Sequence, residues 1–219
     1  MNLDAAREQL AANADAIAAL VRPVDGDGAR WKPSPEAWTI LEVVCHLADE
    51  ERDDFRTRVA LTLQDPTLPW PPIDPGGWVT ARDYASRDLG AALADFLAER
   101  ERSLAWLGGL ASAGVDGAAD RLVDPAWDNA ARHPAGFTIR AGDLMASWLA
   151  HDLLHVRQIV ELRYGAMAGG VDGAVGDGGR DDGGGANVAG GEDAAAGEAA
   201  GAGAGDGGRA WDVRYAGEW

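Results

Sequence analysis

The 219-residue sequence contains a single cysteine, Cys45, so it can form neither an intrachain disulfide nor a thiolate cage around a metal. Basic residues are also scarce: 19 Lys and Arg stand against 36 Asp and Glu, a formal net charge of -17. Nucleic-acid binding needs a basic surface to meet phosphates, and docking on anionic membranes needs the same, so both are excluded as expectations. Long apolar runs are missing too. The stretch from Ala16 to Val21 is too short for a signal core or a membrane span, so the expected location is the cytoplasm. No segment alternates convincingly with a two-residue period, and strands are therefore not expected. No glycine-rich phosphate loop, serine-centred elbow or paired-carboxylate signature stands out.

The chain is long enough for one ordinary domain. A boundary falls at residue 165. Residues 166–208 form a Gly/Ala/Asp tract holding 17 of the 30 glycines, with eight acidic residues against one arginine and no aromatic residue. Such a stretch cannot bury enough apolar area to offset its ordering entropy, and it reads as a disordered low-complexity insertion. Residues 209–219 follow, with Trp211, Tyr215 and Trp219, and read as a tail that packs back on the folded part.

Residues 1–165 carry four stretches of helical periodicity. The first spans about Leu3 to Val21 and stops before Pro23 and a Gly-Asp-Gly loop. The second starts after Trp38, where Thr39 as N-cap and Glu42 three residues on make a capping-box pattern, and runs to about Leu63. Five prolines between Pro66 and Pro75 forbid its continuation. The third spans about Thr80 to Leu107, and the fourth starts after Gly136-Phe137-Thr138 and runs to about Tyr164. Four such helices make an all-α, antiparallel four-helix bundle the simplest architecture.

Three of the four histidines fall in these helices. His151 and His155 are four residues apart and share a face with Leu144, Trp148, Ile159 and Leu162, so both imidazoles point into the bundle. A buried imidazole needs a hydrogen-bond partner or a metal, and two in adjacent turns can chelate one ion. His46 lies at the edge of the apolar stripe on the second helix. Two readings of it stand side by side. Either it crosses the core as a third nitrogen, giving the open ligand set of a catalytic site, or it is partly exposed and bonded to Glu50 one turn later.

The segments Trp38-Thr39-Ile40-Leu41-Glu42-Val43-Val44-Cys45-His46-Leu47 and Trp148-Leu149-Ala150-His151-Asp152-Leu153-Leu154-His155-Val156-Arg157-Gln158-Ile159 resemble the DinB-like superfamily (DinB/YfiT type). The lead-in His133-Pro134-x-Gly136-x-Thr138 and the ending Tyr215-Ala216-Gly217-Glu218-Trp219 are similar to it as well. That superfamily includes metal-dependent hydrolases and transferases that use a low-molecular-weight thiol. The resemblance implies an up-down-down-up bundle, association as a homodimer, and a histidine triad at His46, His151 and His155. Zinc or nickel is the first expectation for its divalent ion, with iron or manganese next. The glycine-rich tract departs from the family pattern but follows the fourth helix and leaves the triad intact.

Other residues carry weaker signals. Glu50 is a candidate catalytic carboxylate near bound water, against the plainer reading of a solvated residue in the charged run Asp49–Asp54. Asp54 and Arg58 read as an ion pair on the helix surface. Trp38, His133, Trp148 and Gln158 are candidates for contact with a small-molecule substrate. Asp152 points about 100° away from His151 and is a poor ligand. Cys45 reads as a small buried apolar residue. The expectation is a metal-dependent hydrolase or small-thiol transferase. Its rival is a non-catalytic dimerising scaffold or stress-response binding module with a structural or vestigial metal site.

Overall fold

Thr39 starts the helix around which the other elements assemble. Its hydroxyl accepts from the Glu42 amide (3.0 Å) while the Glu42 carboxylate accepts from the Thr39 amide (2.7 Å), the reciprocal capping box read from the sequence. The computed structural model describes residues 1–113 and 126–172. Within them, α1 spans Leu3–Val21, capped by Asn2, and a short α2 spans Gly26–Arg30, where the Gly-Asp-Gly loop was expected. Asp25 caps that extra turn by accepting from the Gly28 amide. Helix α3 (Ile40–Asp49) continues through a π-helical turn (Glu50–Phe55) into α4 (Arg56–Gln64). After α5 (Pro75–Ala81) and a 3₁₀ turn (Tyr84–Ser86) come α6 (Leu89–Ala113), strands β1 (Ala130–Arg132) and β2 (Thr138–Arg140), and α7 (Ala141–Asp172).

Three expectations are corrected. The predicted third helix does not run unbroken from Thr80: Asp83 takes a left-handed conformation (φ 48°), and Asp88 restarts the helix by accepting from the Ala91 amide. The expected absence of strands gives way to an antiparallel hairpin pairing Ala130 with Arg140 and Arg132 with Thr138. Its turn uses Gly136 at φ 96°, within the His133–Thr138 lead-in. Three residues per strand are too few for a two-residue period to stand out. The fourth helix continues past Tyr164 to Asp172, seven residues beyond the boundary placed at 165. The remainder of the tract and the tail at 209–219 lie outside the described residues.

Two groups of core side chains fix the helix directions. One joins Ile17 and Val21 of α1, Ile40–Ala48 of α3, Leu93 and Phe96 of α6, and Ile159 and Leu162 of α7. The other joins Leu3 and Leu10, then Phe55 and Val59, then Leu107, then Leu144 and Trp148. The early part of α1 therefore shares an end with the late parts of α4 and α6 and the early part of α7, which is an up-down-down-up four-helix bundle. Two consecutive helices running the same way need a connection as long as the bundle, and residues 65–88 supply it. This crossover packs Trp78, Val79 and Tyr84 on the outer side of α3, and every residue from Ile40 to Glu51 is buried as a result. Asp49 anchors the crossover: it accepts from the Tyr84 hydroxyl at 2.5 Å and pairs with Arg82 and Arg52.

A buried guanidinium ties the bundle together. Arg100 of α6 donates two hydrogen bonds to Asp152 of α7 (2.8 and 2.9 Å), one to Glu51 of the π turn (2.7 Å) and one to the Leu10 carbonyl of α1 (2.7 Å). Glu51 also accepts from the Trp148 indole and the Ser103 hydroxyl, and Asp152 from the Asn13 amide. Removing one partner of such a buried set strands the remaining charges without water. Arg100→Met is therefore expected to lower folding stability by about 3–5 kcal/mol, measured by urea unfolding. A variant within about 0.5 kcal/mol of the parent would show that the network carries no net stability.

Candidate metal centre

Helix α7 brings His151 and His155 to one face, and the buried α3 delivers His46 from across the core. The three are 1%, 4% and 0% exposed. Nε2 of His151 lies 3.2 Å from Nε2 of His46 and 3.1 Å from Nε2 of His155. One ring nitrogen from each lies within 4.8 Å of the other two. Four-coordinate zinc with Zn–N bonds of about 2.0–2.1 Å places its nitrogens about 3.3 Å apart, so the observed edges fit one shared ion. The partly exposed alternative for His46 is corrected: the residue is a core side chain.

The donor chemistry fits as well. Burial, followed by the neighbouring imidazoles, holds the pKa of His46 and of His151 well below 6.5, and burial lowers that of His155. Neutral imidazole is the form that ligates. His155 Nδ1–H donates to Gln158 Oε1 at 2.8 Å, which leaves its Nε2 lone pair directed at the other two histidines. A cation between the Nε2 atoms would take up the lone pair that a neutral imidazole directs at it. Phe55 backs His151, with ring centroids 5.1 Å apart, and Trp38 sets its edge against His46 at 4.9 Å.

Glu50 occupies the first position of the π turn and is buried. Its Oε1 is 3.8 Å from His46 Nδ1. Burial, with the adjacent Asp54 carboxylate adding to it, pushes the Glu50 carboxyl well above the usual range. The solvated reading of the Asp49–Asp54 run is thus corrected, since Asp49, Glu50, Glu51 and Asp54 are all buried. The same holds for Asp54 and Arg58, a buried ion pair at 2.6 Å and not a surface one.

A cleft of about 740 Å³ reaches His155 from outside, lined also by Trp38, Pro75, Gln158, Arg157 and Glu161 among others. Of the four candidate substrate contacts, Trp38 and Gln158 line this cleft. Trp148 faces the Arg100 network instead, stacked on Phe55 and donating to Glu51. His133 sits in the hairpin turn between Phe137 and Trp70, ahead of β2 and of α7, whose first residue is about 15 Å along the helix axis from His151. Cys45 is buried, and burial raises its thiol pKa. The sequence reading passed over Arg100 and Ser103. Their signal was positional: Leu93, Phe96, Arg100, Ser103 and Leu107 recur every three or four residues, which puts the arginine on a core stripe.

The depressed histidine pKa values make a prediction. The unfolded chain takes up protons near pH 6.5, whereas the folded triad stays neutral, so stability from this source is full above 6.5 and is lost as pH falls toward the folded values. Urea unfolding of chelator-treated protein should lose about 1.4 kcal/mol per pH unit for each such histidine below that point. A His46→Phe variant should show a shallower slope. Equal slopes in parent and variant would count against neutral, buried imidazoles.

The sequence pattern of the DinB superfamily matches residues 9–159. No curated sequence relative matches the chain. Among solved structures, the chain is similar to YfiT from Bacillus subtilis, with a TM-score of 0.62 and 21% identity over 76% of this chain and 87% of that one. YfiT is described as "a probable metal-dependent hydrolase with an unusual four-helix bundle topology". At that identity the likeness establishes the fold and not the reaction. With the triad on the matched helices, and the pattern covering well over half of its length, this chain belongs to the DinB superfamily.

Proposed function

We propose that this protein is a metal-dependent enzyme in which His46, His151 and His155 hold one divalent ion beside a cleft for a small-molecule substrate. The observation that carries the reading is the convergence of three buried Nε2 atoms, two pairs of them 3.1–3.2 Å apart, with His155 also lining that cleft. Three neutral nitrogens leave a coordination position open, which is the pattern of a catalytic site and not of a closed structural one. When bound, an ion there supplies Lewis-acid activation of water, for hydrolysis, or of a small thiol, for transfer. Zinc and nickel suit imidazole ligands best among the expected metals, ahead of iron and manganese.

The remaining roles belong to the chain's own side chains. Gln158 fixes the tautomer and ring orientation of His155 through its Nδ1–H. Glu50, 3.8 Å from His46 Nδ1, lies on the other side of the site and offers a carboxyl of raised pKa for proton transfer. Trp38 presents an apolar wall to the substrate, next to His155. Cys45 does not supply a nucleophile, since it is buried with its thiol pKa raised.

Protein purified without a histidine tag should retain about one equivalent of divalent metal per chain by elemental analysis. His151→Ala should abolish retention while leaving the helical circular dichroism intact, and Glu50→Gln should weaken metal affinity about 10–100-fold. Metal-loaded protein should hydrolyse, or transfer a thiol to, some member of a panel of small esters, amides and electrophiles, and chelation should abolish that turnover. Failure of the untagged protein to bind zinc or nickel on titration would end the metalloenzyme reading. Collapse of the fold on chelation would favour a structural site.

A further inference from the structure

A second cavity, of about 600 Å³, lies where the start of α3 meets the later part of α7, and it shares no lining residue with the cleft at His155. Its size is that of a small-molecule site. Val24, Trp31, Ile40 and Met167 give it an apolar wall. A missing side chain lets that wall form. Gly165 lies inside α7, where glycine is disfavoured relative to alanine, and a Cβ there would fall 2.3 Å from Trp31 Cη2. The indole rests on bare helix backbone.

Charges of both signs border this space without pairing. Arg163 of α7 lines it half-buried and has no hydrogen-bond or ion-pair partner among the described residues. Asp25 and Asp27 line it from the start of α2. Asp25 spends one oxygen on the Gly28 amide (2.8 Å), and the Asp27 carboxylate is unpaired. A purely anionic ligand would meet the two carboxylates, and a purely cationic one would meet a guanidinium beside apolar surface. A ligand carrying both charges satisfies both ends.

We propose that this cavity binds a small amino acid with an apolar side chain. Its carboxylate pairs with the Arg163 fork, its ammonium with Asp27 and Asp25, and its side chain packs against Trp31 and Ile40. The site is independent of the metal reading. Arg163 is eight residues beyond His155, about 12 Å farther along α7, and none of the triad lines the cavity.

Isothermal titration calorimetry of the full chain reads the proposal with three probes of one shape: L-phenylalanine, phenethylamine, which has no carboxylate, and 3-phenylpropionate, which has no ammonium. The protein is treated with chelator first, because a free amino acid also ligates metal ions. Phenylalanine should bind at least about tenfold more tightly than either analogue, since each analogue leaves one charge of the cavity unmatched. Arg163→Gln should erase the preference over phenethylamine and keep that over 3-phenylpropionate. Asp25→Asn with Asp27→Asn should do the reverse, and asparagine keeps the cap of α2. Thermal unfolding should be unchanged in both variants, and His151→Ala should bind phenylalanine as the parent does. Lack of binding by all three probes at about 10 mM overturns the proposal. Equal affinity for the three reduces the cavity to an apolar hollow and overturns it too. A preference that survives in both charge variants, or that is lost in His151→Ala, puts the ligand elsewhere and overturns it as well.

Discussion

The rest of the fold depends on one guanidinium held away from water. Arg100 reaches α1 through the Leu10 carbonyl, the π turn through Glu51 and α7 through Asp152, so a single side chain of α6 touches the other three legs of the bundle. Its desolvation is tolerable only because each donor is matched by a carboxylate or carbonyl, and each carboxylate has further donors of its own. That requirement is geometric. Apolar side chains can slide past one another at small cost, but a forked cation between two carboxylates fixes the rotation of the helices that carry them. Asp152 adjoins His151 in sequence, and the constraint that seats Asp152 thereby sets the direction of the imidazole beside it.

The candidate site is thus built from two shells of opposite chemistry. Inside are three neutral imidazoles that burial keeps unprotonated. Around them lie carboxylates paired with Arg100 and Arg58, and the aromatic rings of Phe55 and Trp38. Charge stays out of the ligand set but close to it. A divalent ion at the triad would be the largest local charge, and the carboxylates one layer out are placed to balance it.

Much of this was legible in the sequence because it is local. The Thr39–Glu42 cap, the first helix and the shared face of His151 and His155 follow from spacing within a few residues. His46 required the family resemblance, since position at a stripe edge does not separate a core side chain from a rim one. The charged run Asp49–Asp54 was misread for a different reason. Whether a carboxylate is buried depends on a partner far along the chain, as Arg100 is 49 residues from Glu51. Nothing near Glu51 announces that partner, and the default for six polar residues in a row is solvent. The crossover was opaque for a similar reason, because Asp83 breaks the expected helix with a left-handed residue that helical periodicity tolerates on paper.

The π turn at Glu50–Phe55 has a consequence for how this helix tolerates change in length. Hydrogen bonding from i to i+5 accommodates one residue more than an α-helical turn does, so the segment acts as an insertion absorbed without a break. Ahead of it the helix presents His46 to the triad; its last residue, Phe55, and Val59 beyond it pack in the second group of core side chains. Deleting one residue of the turn would therefore restore ordinary helix and leave the two halves nearly in phase. Forcing the same residues into ordinary helix at unchanged length would instead turn one half against the other by about 100°, and either the imidazole or the Phe55–Val59 face would leave its place. The phase between the two halves is a property of the i to i+5 bonding at this length, and the turn tolerates loss of one residue better than loss of that bonding.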